Sequence, residues 1–398
     1  MKIRQAVILA GGKGKRLLPL TKKIPKPLTP VNGRPFLEYL IVLLKENGIE
    51  EVVLLLGYLA QKIIDHFGDG SNFGLKIKYS INKVSDTTIT GTRIRDAGDL
   101  LDDHFLLIYS DNYLPFDLKK LIDFYTKKKV LAQLTAYSNK DGFTKNNVLI
   151  DQEGYVRKYD KDRKNKNLNA VEIGFFIIDK KIFSMLPKYD FHFEHTILPQ
   201  LVEKGQLRGF ITDHRYYSIS TMDRVKLTEK FLKPKKVIFL DRDGVINKNP
   251  PRWQYIKNWR EFKFLPTAIK ALKMLSQKNY QIYLVSNQAG IARGRLTEKD
   301  LNRLHRKMKE VLRNHKIRIS GIYYCPHGWD EACDCRKPKP GLLYQAAREH
   351  HIDLTKALLI GDSESDIEAG KAAGCRTILM QTDGDLLKVV EKFLAKPK

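Results

Sequence analysis

The chain has 398 residues, 42% of them hydrophobic and 10% aromatic, which excludes a mainly disordered protein and is long for one domain at about 150 residues each. Lysine and arginine outnumber aspartate and glutamate by 71 to 45, a net charge of +26. The excess lies on both sides of Pro234, with neither a basic tail nor an aromatic-interleaved stripe to suit nucleic acid.

Short apolar runs at Ala6–Ala10, Glu51–Leu56, Phe105–Tyr109, Val130–Tyr137 and Ile173–Ile178 predict buried strands. Phe36–Asn47 and Asp117–Tyr125 predict helices between them. After Pro234 the pattern restarts: strands are predicted at Lys236–Leu240, Gln281–Val285, Ile322–Tyr324 and Ala357–Ile360, and helices at Thr267–Gln277 and Thr297–Asn314. The alternation predicts an α/β protein of two doubly wound, mostly parallel sheets in series, over residues 1–232 and 236–398. No run approaches the roughly 20 apolar residues of a membrane span, and the apolar stretch before Gly11 is too short for a secretory leader. Four cysteines, three of them within residues 325–335, suit a reduced, cytoplasmic setting and a metal site better than a disulfide frame.

The first strand runs into Gly11-Gly12-Lys13-Gly14-Lys15-Arg16-Leu17, where glycines bring backbone N–H groups close to a phosphate. A dinucleotide fingerprint needs glycine at 17, and a Walker loop needs glycine at 9 and Ser/Thr at 16; the residues are Leu17, Leu9 and Arg16. Pro19-Leu20-Thr21 and Pro25-Lys26-Pro27-Leu28 stiffen the return, so that Lys26 joins Arg16 near that loop, an arrangement suited to displacement at a nucleoside triphosphate. These segments resemble the signature of the sugar-1-phosphate nucleotidylyltransferases, closest to guanylyltransferases acting on heptose and mannose 1-phosphates, and the similarity extends to about residue 232. The resemblance implies attack by a sugar 1-phosphate on the α-phosphorus of a nucleoside triphosphate with Mg²⁺ help. Arg16 and Lys26 then hold phosphates with Gly11, Gly12 and Gly14, Asp111 binds Mg²⁺, Glu172 and Gly174 bind the sugar, and Lys161 is a second phosphate contact. Two departures stand out. Ser218 occupies the place of a second Mg²⁺ aspartate, for which Asp213 or Asp223 are the nearby substitutes, and Thr88-Ile89-Thr90-Gly91-Thr92 replaces a more glycine-rich base-reading loop.

The second unit opens with Leu240-Asp241-Arg242-Asp243-Gly244-Val245, two carboxylates two residues apart at a strand end. One suits attack on phosphorus and the other proton exchange with the leaving oxygen; Gly361-Asp362-Ser363-Glu364-Ser365-Asp366, Ser286-Asn287 and Lys337 complete a phosphate pocket that needs a cation. The set resembles the haloacid dehalogenase superfamily of phosphohydrolases. By that resemblance Asp241 is the nucleophile, Asp243 the general acid/base, and Ser286 and Lys337 hold the transferring phosphoryl group. Mg²⁺ sits between Asp241, the Asp243 carbonyl and Asp362, with Asp366 in support.

Cys325-Pro326-His327 and Cys333-Asp334-Cys335 supply three thiolates and an imidazole, the donor set of a closed tetrahedral Zn²⁺ site, while Cys375 reads as a buried apolar residue. Arg336 and Lys337 follow directly, so the metal is expected to stiffen the loop that delivers them. This string and Asn287–Gly294 resemble the heptose 1,7-bisphosphate 7-phosphatases and the related histidinol-phosphate phosphatases, over about 236–395; Arg336 then contacts the substrate's remote phosphate. Together the resemblances imply a bifunctional enzyme of nucleotide-activated heptose synthesis, whose partners are a phosphorylated sugar and a nucleoside triphosphate, not nucleic acid. The alternatives are a phosphatase carrying a nucleotide-binding regulatory module, and histidinol-phosphate hydrolysis.

Overall fold

The apolar runs become strands because both of their faces are covered. In β1 (Gln5–Leu9), Ala6 and Ile8 enter one buried cluster with helix α1 (Phe36–Glu46), while Val7 enters a second on the opposite face. The same split divides β2 (Glu51–Leu56): Val52, Leu54 and Leu56 face one cluster, Val53 and Leu55 the other. A strand buried on both sides reads as a continuous apolar run, which is why these segments carry no polar alternation.

The computed structural model describes residues 1–82 and 89–395. The chain divides into two units, Met1–Leu232 and Lys233–Lys398. The first continues through α2 (Ala60–Phe67), β3 (Lys76–Ile81), α3 (Thr90–Asp96), β4 (His104–Tyr109), α4 (Leu118–Tyr125), β5 (Ala132–Tyr137), β6 (Val171–Asp179), α5 (Phe193–Glu203), β7 (Leu207–Thr212) and α6 (Met222–Leu232). Its seven-stranded sheet has the order β7-β5-β6-β4-β1-β2-β3. β1 lies parallel to β2 and β4, whereas β6, the longest strand, runs antiparallel to both β4 and β5. The chain moves outward from β1 to β3 and then crosses back to β4, so the switch in winding falls between β1 and β4, where a crevice opens at the strand ends.

One large side chain shapes that end of the sheet. Arg93 of α3 is buried, and its guanidinium lies between Gly11 after β1 and Gly57 after β2, donating to the carbonyl of Leu56. A Cβ on either glycine would collide with that guanidinium.

The second unit is built from β8 (Lys236–Leu240), α7 (Ala268–Gln277), β9 (Tyr280–Asn287), α8 (Glu298–Asn314), β10 (Ile319–Cys325), α9 (Gly341–His350), β11 (Leu358–Gly361), α10 (Glu364–Ala372), β12 (Arg376–Leu379) and α11 (Leu386–Ala395). Its five strands are all parallel, in the order β10-β9-β8-β11-β12. Ile238 and Leu240 of β8 face one core cluster, Val237 and Phe239 the other. Among the described residues no helix is long and apolar enough to cross a membrane.

Two candidate active sites and a candidate metal centre

In the first unit the glycine loop leaves β1 and is braced from behind: the Thr21 hydroxyl donates to the Gly14 carbonyl at 3.0 Å, and the Tyr58 hydroxyl to the Thr21 carbonyl at 3.1 Å. The Pro-Lys-Pro segment packs against this loop so closely that a Cβ on Gly14 would lie 2.9 Å from Cβ of Lys26. Loop and lysine line one cavity of about 570 Å³ with Gly12, Arg16, Asp111 and Ser220. Gly11 lies behind it, against Arg93. Lys26 is ion-paired with Asp111. Burial alone would raise the Asp111 carboxyl, but Lys26, Arg16 and Lys161 outweigh it and hold it below the usual carboxylate range.

Ser218 sits in a two-residue antiparallel ladder opposite Asn112, its hydroxyl 3.2 Å from that of Ser220, and the Ile219 N–H bonds the Asp111 carbonyl at 3.0 Å. This strand therefore brings hydroxyls, not a carboxylate, beside Asp111. The suggested substitutes are elsewhere: Asp213 pairs with Lys140 at 3.4 Å, and Asp223 is exposed at the start of α6. Glu172 is buried and accepts the Gly174 N–H, and burial pushes its carboxyl up. Lys161 lies 3.8 Å from Glu194 and 5.5 Å from the centre of the Tyr109 ring. Of the base-loop residues, Thr88 lies outside the described residues; Gly91 packs against Phe191, whose ring a Cβ there would strike, and the Ile89 carbonyl accepts the Arg93 N–H.

Sequence reading missed His192 and Glu194, which also line the cavity. Thr90 donates to Glu194 at 2.6 Å, and Lys161 with Thr90 lowers the Glu194 carboxyl against the opposing effect of burial. A lone glutamate in Phe-Glu-His has no local signature; it reaches the cavity only because α5 packs against α3.

In the second unit Asp241 ends β8, its N–H bonded to the Ile360 carbonyl of β11 at 3.0 Å. Lys337 is buried with its ammonium 2.6 Å from Asp241, 3.0 Å from the Val285 carbonyl, and ion-paired with Asp366. Asp366 serves two groups at once: one oxygen caps α10 by accepting from the Ser363 hydroxyl at 2.6 Å, the other takes Lys337. One oxygen each of Asp241, Asp362 and Asp366 lies within 4.8 Å of the others. Edges of about 3 Å and diagonals of about 4.2 Å belong to an octahedron with metal–oxygen bonds near 2.1 Å, so the three fit a small divalent cation such as Mg²⁺. Gly244 (φ +83°) lets the Asp241 loop pass Asp362, whose carboxylate a side chain there would strike. Burial pushes the Asp241 carboxyl up against the pull of Lys337, with Asp366 and Asp243 reinforcing it.

Asp243 is held differently. Its carboxylate is not in the three-aspartate cluster; Arg242, fully buried, grips it at 2.8 and 3.1 Å, and Asn247 and Gln288 donate at 2.8 and 2.9 Å. Burial would raise this carboxyl, but Arg242 and these amides bring it below its ordinary value. Arg242 also meets Nε2 of the buried His305 at 3.1 Å, and burial with that adjacent cation pushes the imidazole down to about 3. Gln288 further donates to Ser286 at 2.8 Å, while Asn287 and Lys337 exchange two 3.1 Å bonds, side chain to backbone in each direction. Arg242, Gln288 and His305 carried no assigned role in the sequence, although Arg242 stands between the two aspartates.

The four ligand atoms of Cys325, His327, Cys333 and Cys335 lie within 4.8 Å of one another. Cys325 and Cys333 sulfurs are 3.8 Å apart, and Nδ1 of His327 is 3.5 Å from Cys325 and 3.2 Å from Cys335. Zinc bonds of about 2.3 Å to sulfur in a tetrahedron place two sulfurs about 3.8 Å apart, so the donor set fits the metal. All four cysteines are free, and Cys375 is buried. Arg336 donates to the His327 carbonyl at 3.2 Å, tying the cluster to the Lys337 segment.

Fold and sites together define two phosphate-handling enzymes in series, a nucleotidyltransferase unit followed by a hydrolase unit of the haloacid dehalogenase type. The nucleotidyl transferase family model matches residues 5–253, running past Leu232, and the HAD-hydrolase-like model matches residues 334–397. A D-glycero-beta-D-manno-heptose-1,7-bisphosphate 7-phosphatase of Pseudomonas aeruginosa is 39% identical over 148 residues, covering 37% of this chain and 82% of that protein. Its counterpart from Helicobacter pylori is 40% identical over 152 residues, 38% of this chain and 86% of that protein. The crystal structure of HddC from Yersinia pseudotuberculosis, also solved with GMP-PN, is 26% identical with a TM-score of 0.50, covering 58% of this chain and all of that one. The chain belongs to the nucleotidyl transferase family and, through its hydrolase part, to that of the heptose bisphosphate phosphatases.

Proposed function

We infer that the chain catalyses two successive steps of nucleotide-activated heptose synthesis: hydrolysis of the 7-phosphate of heptose 1,7-bisphosphate, then transfer of a nucleotidyl group, GMP from GTP, to the resulting heptose 1-phosphate. The observation that carries the first step is the Asp241–Lys337–Asp366 constellation in a unit that is 39% identical, over 148 residues, to a heptose bisphosphate phosphatase. An Asp241 oxygen attacks phosphorus, the P–O bond to the sugar breaks, and Asp243 delivers the proton to the departing oxygen; water, deprotonated by Asp243, then attacks the aspartyl-phosphate and releases orthophosphate. The incoming phosphate dianion adds negative charge beside Asp243 and raises its proton affinity, countering the Arg242 grip. Ser286 and Lys337 hold the phosphoryl oxygens. Mg²⁺, when bound, neutralises phosphate charge next to Asp241, Asp362 and Asp366.

In the transferase step an oxygen of the sugar 1-phosphate attacks the α-phosphorus of GTP and pyrophosphate leaves. Arg16, Lys26 and the glycine-loop amides bind its phosphates, Lys161 the sugar phosphate, Glu172 and Gly174 the sugar, and Asp111 the Mg²⁺. The zinc-type cluster is structural and fixes Arg336 and Lys337.

The test is a time course with heptose 1,7-bisphosphate, GTP and Mg²⁺: orthophosphate appears first and pyrophosphate follows. Orthophosphate without pyrophosphate for any nucleoside triphosphate would support the second reading, a nucleotide-binding regulatory module, which the hydroxyls of Ser218 and Ser220 beside Asp111 favour. Faster turnover of histidinol phosphate than of the bisphosphate would overturn the substrate assignment.

A further inference from the structure

In the first unit, a turn before β6 sends two cations apart. The Asp160 carbonyl accepts the Arg163 N–H at 3.1 Å, and the Asp160 carboxylate accepts the Lys164 and Asn165 N–H groups at 2.9 and 2.8 Å. Lys161 reaches toward Glu194 and the Tyr109 ring, whereas Arg163, at φ +58°, donates to the Thr144 hydroxyl at 2.9 Å. Thr144 lies in the loop after β5, and the end of that loop is tied to Glu172, assigned above to the sugar: the Asn147 side chain accepts the Glu172 N–H at 2.7 Å. Burial pushes the Glu172 carboxyl up, and Lys161 and Arg163 both pull against it, so this carboxylate stands in the field of both cations.

The same loop carries Phe143. Arg224, from the first turn of α6, lies 4.0 Å from the centre of its ring, and Arg215 lies 4.4 Å from it. Arg215 is paired with Asp141. Arg224 is not paired in this way: its Nη1 is buried without an acceptor, and neither it nor Arg163 forms an ion pair among the described residues. Both act on Tyr216, where burial raises the hydroxyl, Arg224 and Arg163 oppose it and Glu172 reinforces it, so the two guanidiniums and Glu172 surround one place. A buried guanidinium N–H without an acceptor is costly to keep, and the Phe143 ring offers it attraction but no lone pair. The two arginines are set for an anion that arrives with a ligand.

We propose that Arg163 and Arg224 form a phosphate subsite at the far end of the transferase's sugar site, and that heptose 1,7-bisphosphate binds there through its 7-phosphate and keeps heptose 1-phosphate out. This rests on the two-step reading above. The two sugars differ only in the group that the phosphatase removes, so the subsite tells the first step's substrate from its product. Guanidiniums suit the 7-phosphate because each can meet it with two N–H groups, while Lys161 takes the 1-phosphate. Held at both ends, the sugar cannot advance on the α-phosphorus without loosening one grip, and binding spent on the ground state does not speed transfer. Hydrolysis of the 7-phosphate removes that restraint, so nucleotidyl transfer waits on the phosphatase.

The test uses the full chain carrying Asp241→Asn, which lacks the phosphatase nucleophile and so leaves the bisphosphate intact, with and without Arg163→Ala/Arg224→Ala. Calorimetric titration with heptose 1,7-bisphosphate should count one site fewer once the arginines are gone. Pyrophosphate release from heptose 1-phosphate and GTP should be inhibited by the bisphosphate in competition with heptose 1-phosphate, and Ki should rise on the order of tenfold in the arginine variant. Arg163→Lys/Arg224→Lys, which keeps the charge without the planar fork, should recover part of that loss. GTP binding checks the fold of each variant, and the lysine pair carries the comparison if the alanine pair does not fold. An equal count of bisphosphate sites with and without the arginines overturns the subsite, as does pyrophosphate release that the bisphosphate leaves undiminished. A site lost with the arginines in a chain that makes no pyrophosphate from any nucleoside triphosphate would keep the subsite and overturn the transferase reading.

Discussion

His305 illustrates how much a buried pair can dictate. Arg242 beside it and the surrounding apolar packing hold its imidazole near 3, against 6.5 when free, so the native state stays neutral where the unfolded chain takes a proton. The unfolded state therefore binds more protons between those values, and stability present above about pH 6.5 is lost as pH falls toward 3. From pH 7.5 to 5 the loss should amount to roughly 2 kcal/mol, read as a falling denaturation midpoint, and His305→Gln, which keeps an acceptor for Arg242, should flatten that slope. Asp243→Ala should cost about 3–5 kcal/mol of stability beyond any loss of activity, because it leaves the Arg242 guanidinium buried without its carboxylate. Calorimetry would measure this, and Asp243→Asn should recover part of it. At this scale the sequence was legible where chemistry is local: Asp241, Asp243 and Lys337 stand in motifs. Glu194, Gln288 and His305 do not, since their partners are brought from 46 to 104 positions away.

Among the elements, strands were the easiest to read, because burial on two faces writes itself as an unbroken apolar run. Direction is not written there. The run at β6 predicted a strand but held no sign that it lies antiparallel to both neighbours, since periodicity is the same read either way. Boundaries were legible where caps are: Thr297 accepts from the Asp300 N–H and Asp300 reaches back, opening α8 where the sequence places it. The end of the same helix and the turn after it take up some of the excess positive charge. Lys309, Arg313, Lys316 and Arg318 gather around a shallow cavity where α8 ends, and cations at a helix C-terminus are favoured by its dipole. The metal loop is the element whose loss should spread furthest. Cys333→Ser should lower bound zinc by about one equivalent, measured by atomic absorption, and lower phosphatase kcat/KM at least tenfold by loosening Arg336 and Lys337. Full phosphatase activity after metal loss would show that the loop holds its shape unaided.

For the whole molecule, the two chemistries need only be linked by a diffusible intermediate. In the full chain, Asp241→Asn should leave pyrophosphate release from added heptose 1-phosphate and GTP intact while abolishing it from the bisphosphate. Lys26→Ala should do the reverse, releasing orthophosphate and then stopping. Mixing the two variants should restore pyrophosphate from the bisphosphate after a lag that shortens with concentration, followed by a coupled colorimetric assay. No recovery on mixing would mean that the intermediate does not leave the chain that makes it. The large net charge takes a particular meaning at this scale: Lys26, Arg242 and Lys337 are each engaged with carboxylates at the two sites. Basicity is partly built into the pockets and not only spread over the surface.

The guanidinium of Arg93, set between Gly11 and Gly57, ties three distant positions into a single inherited trait. In any lineage descending from this chain, a side chain at 57 is accommodated only if the Arg93 guanidinium gives up its place or residue 93 has shrunk, so the order of substitutions is biased as well as their identity. Gly57→Ala alone should lower the melting temperature, Arg93→Ala alone should open a void, and the double variant should be less damaged than the sum of the two. That sign of epistasis, rather than the invariance of either glycine, is the trace the packing would leave among descendants.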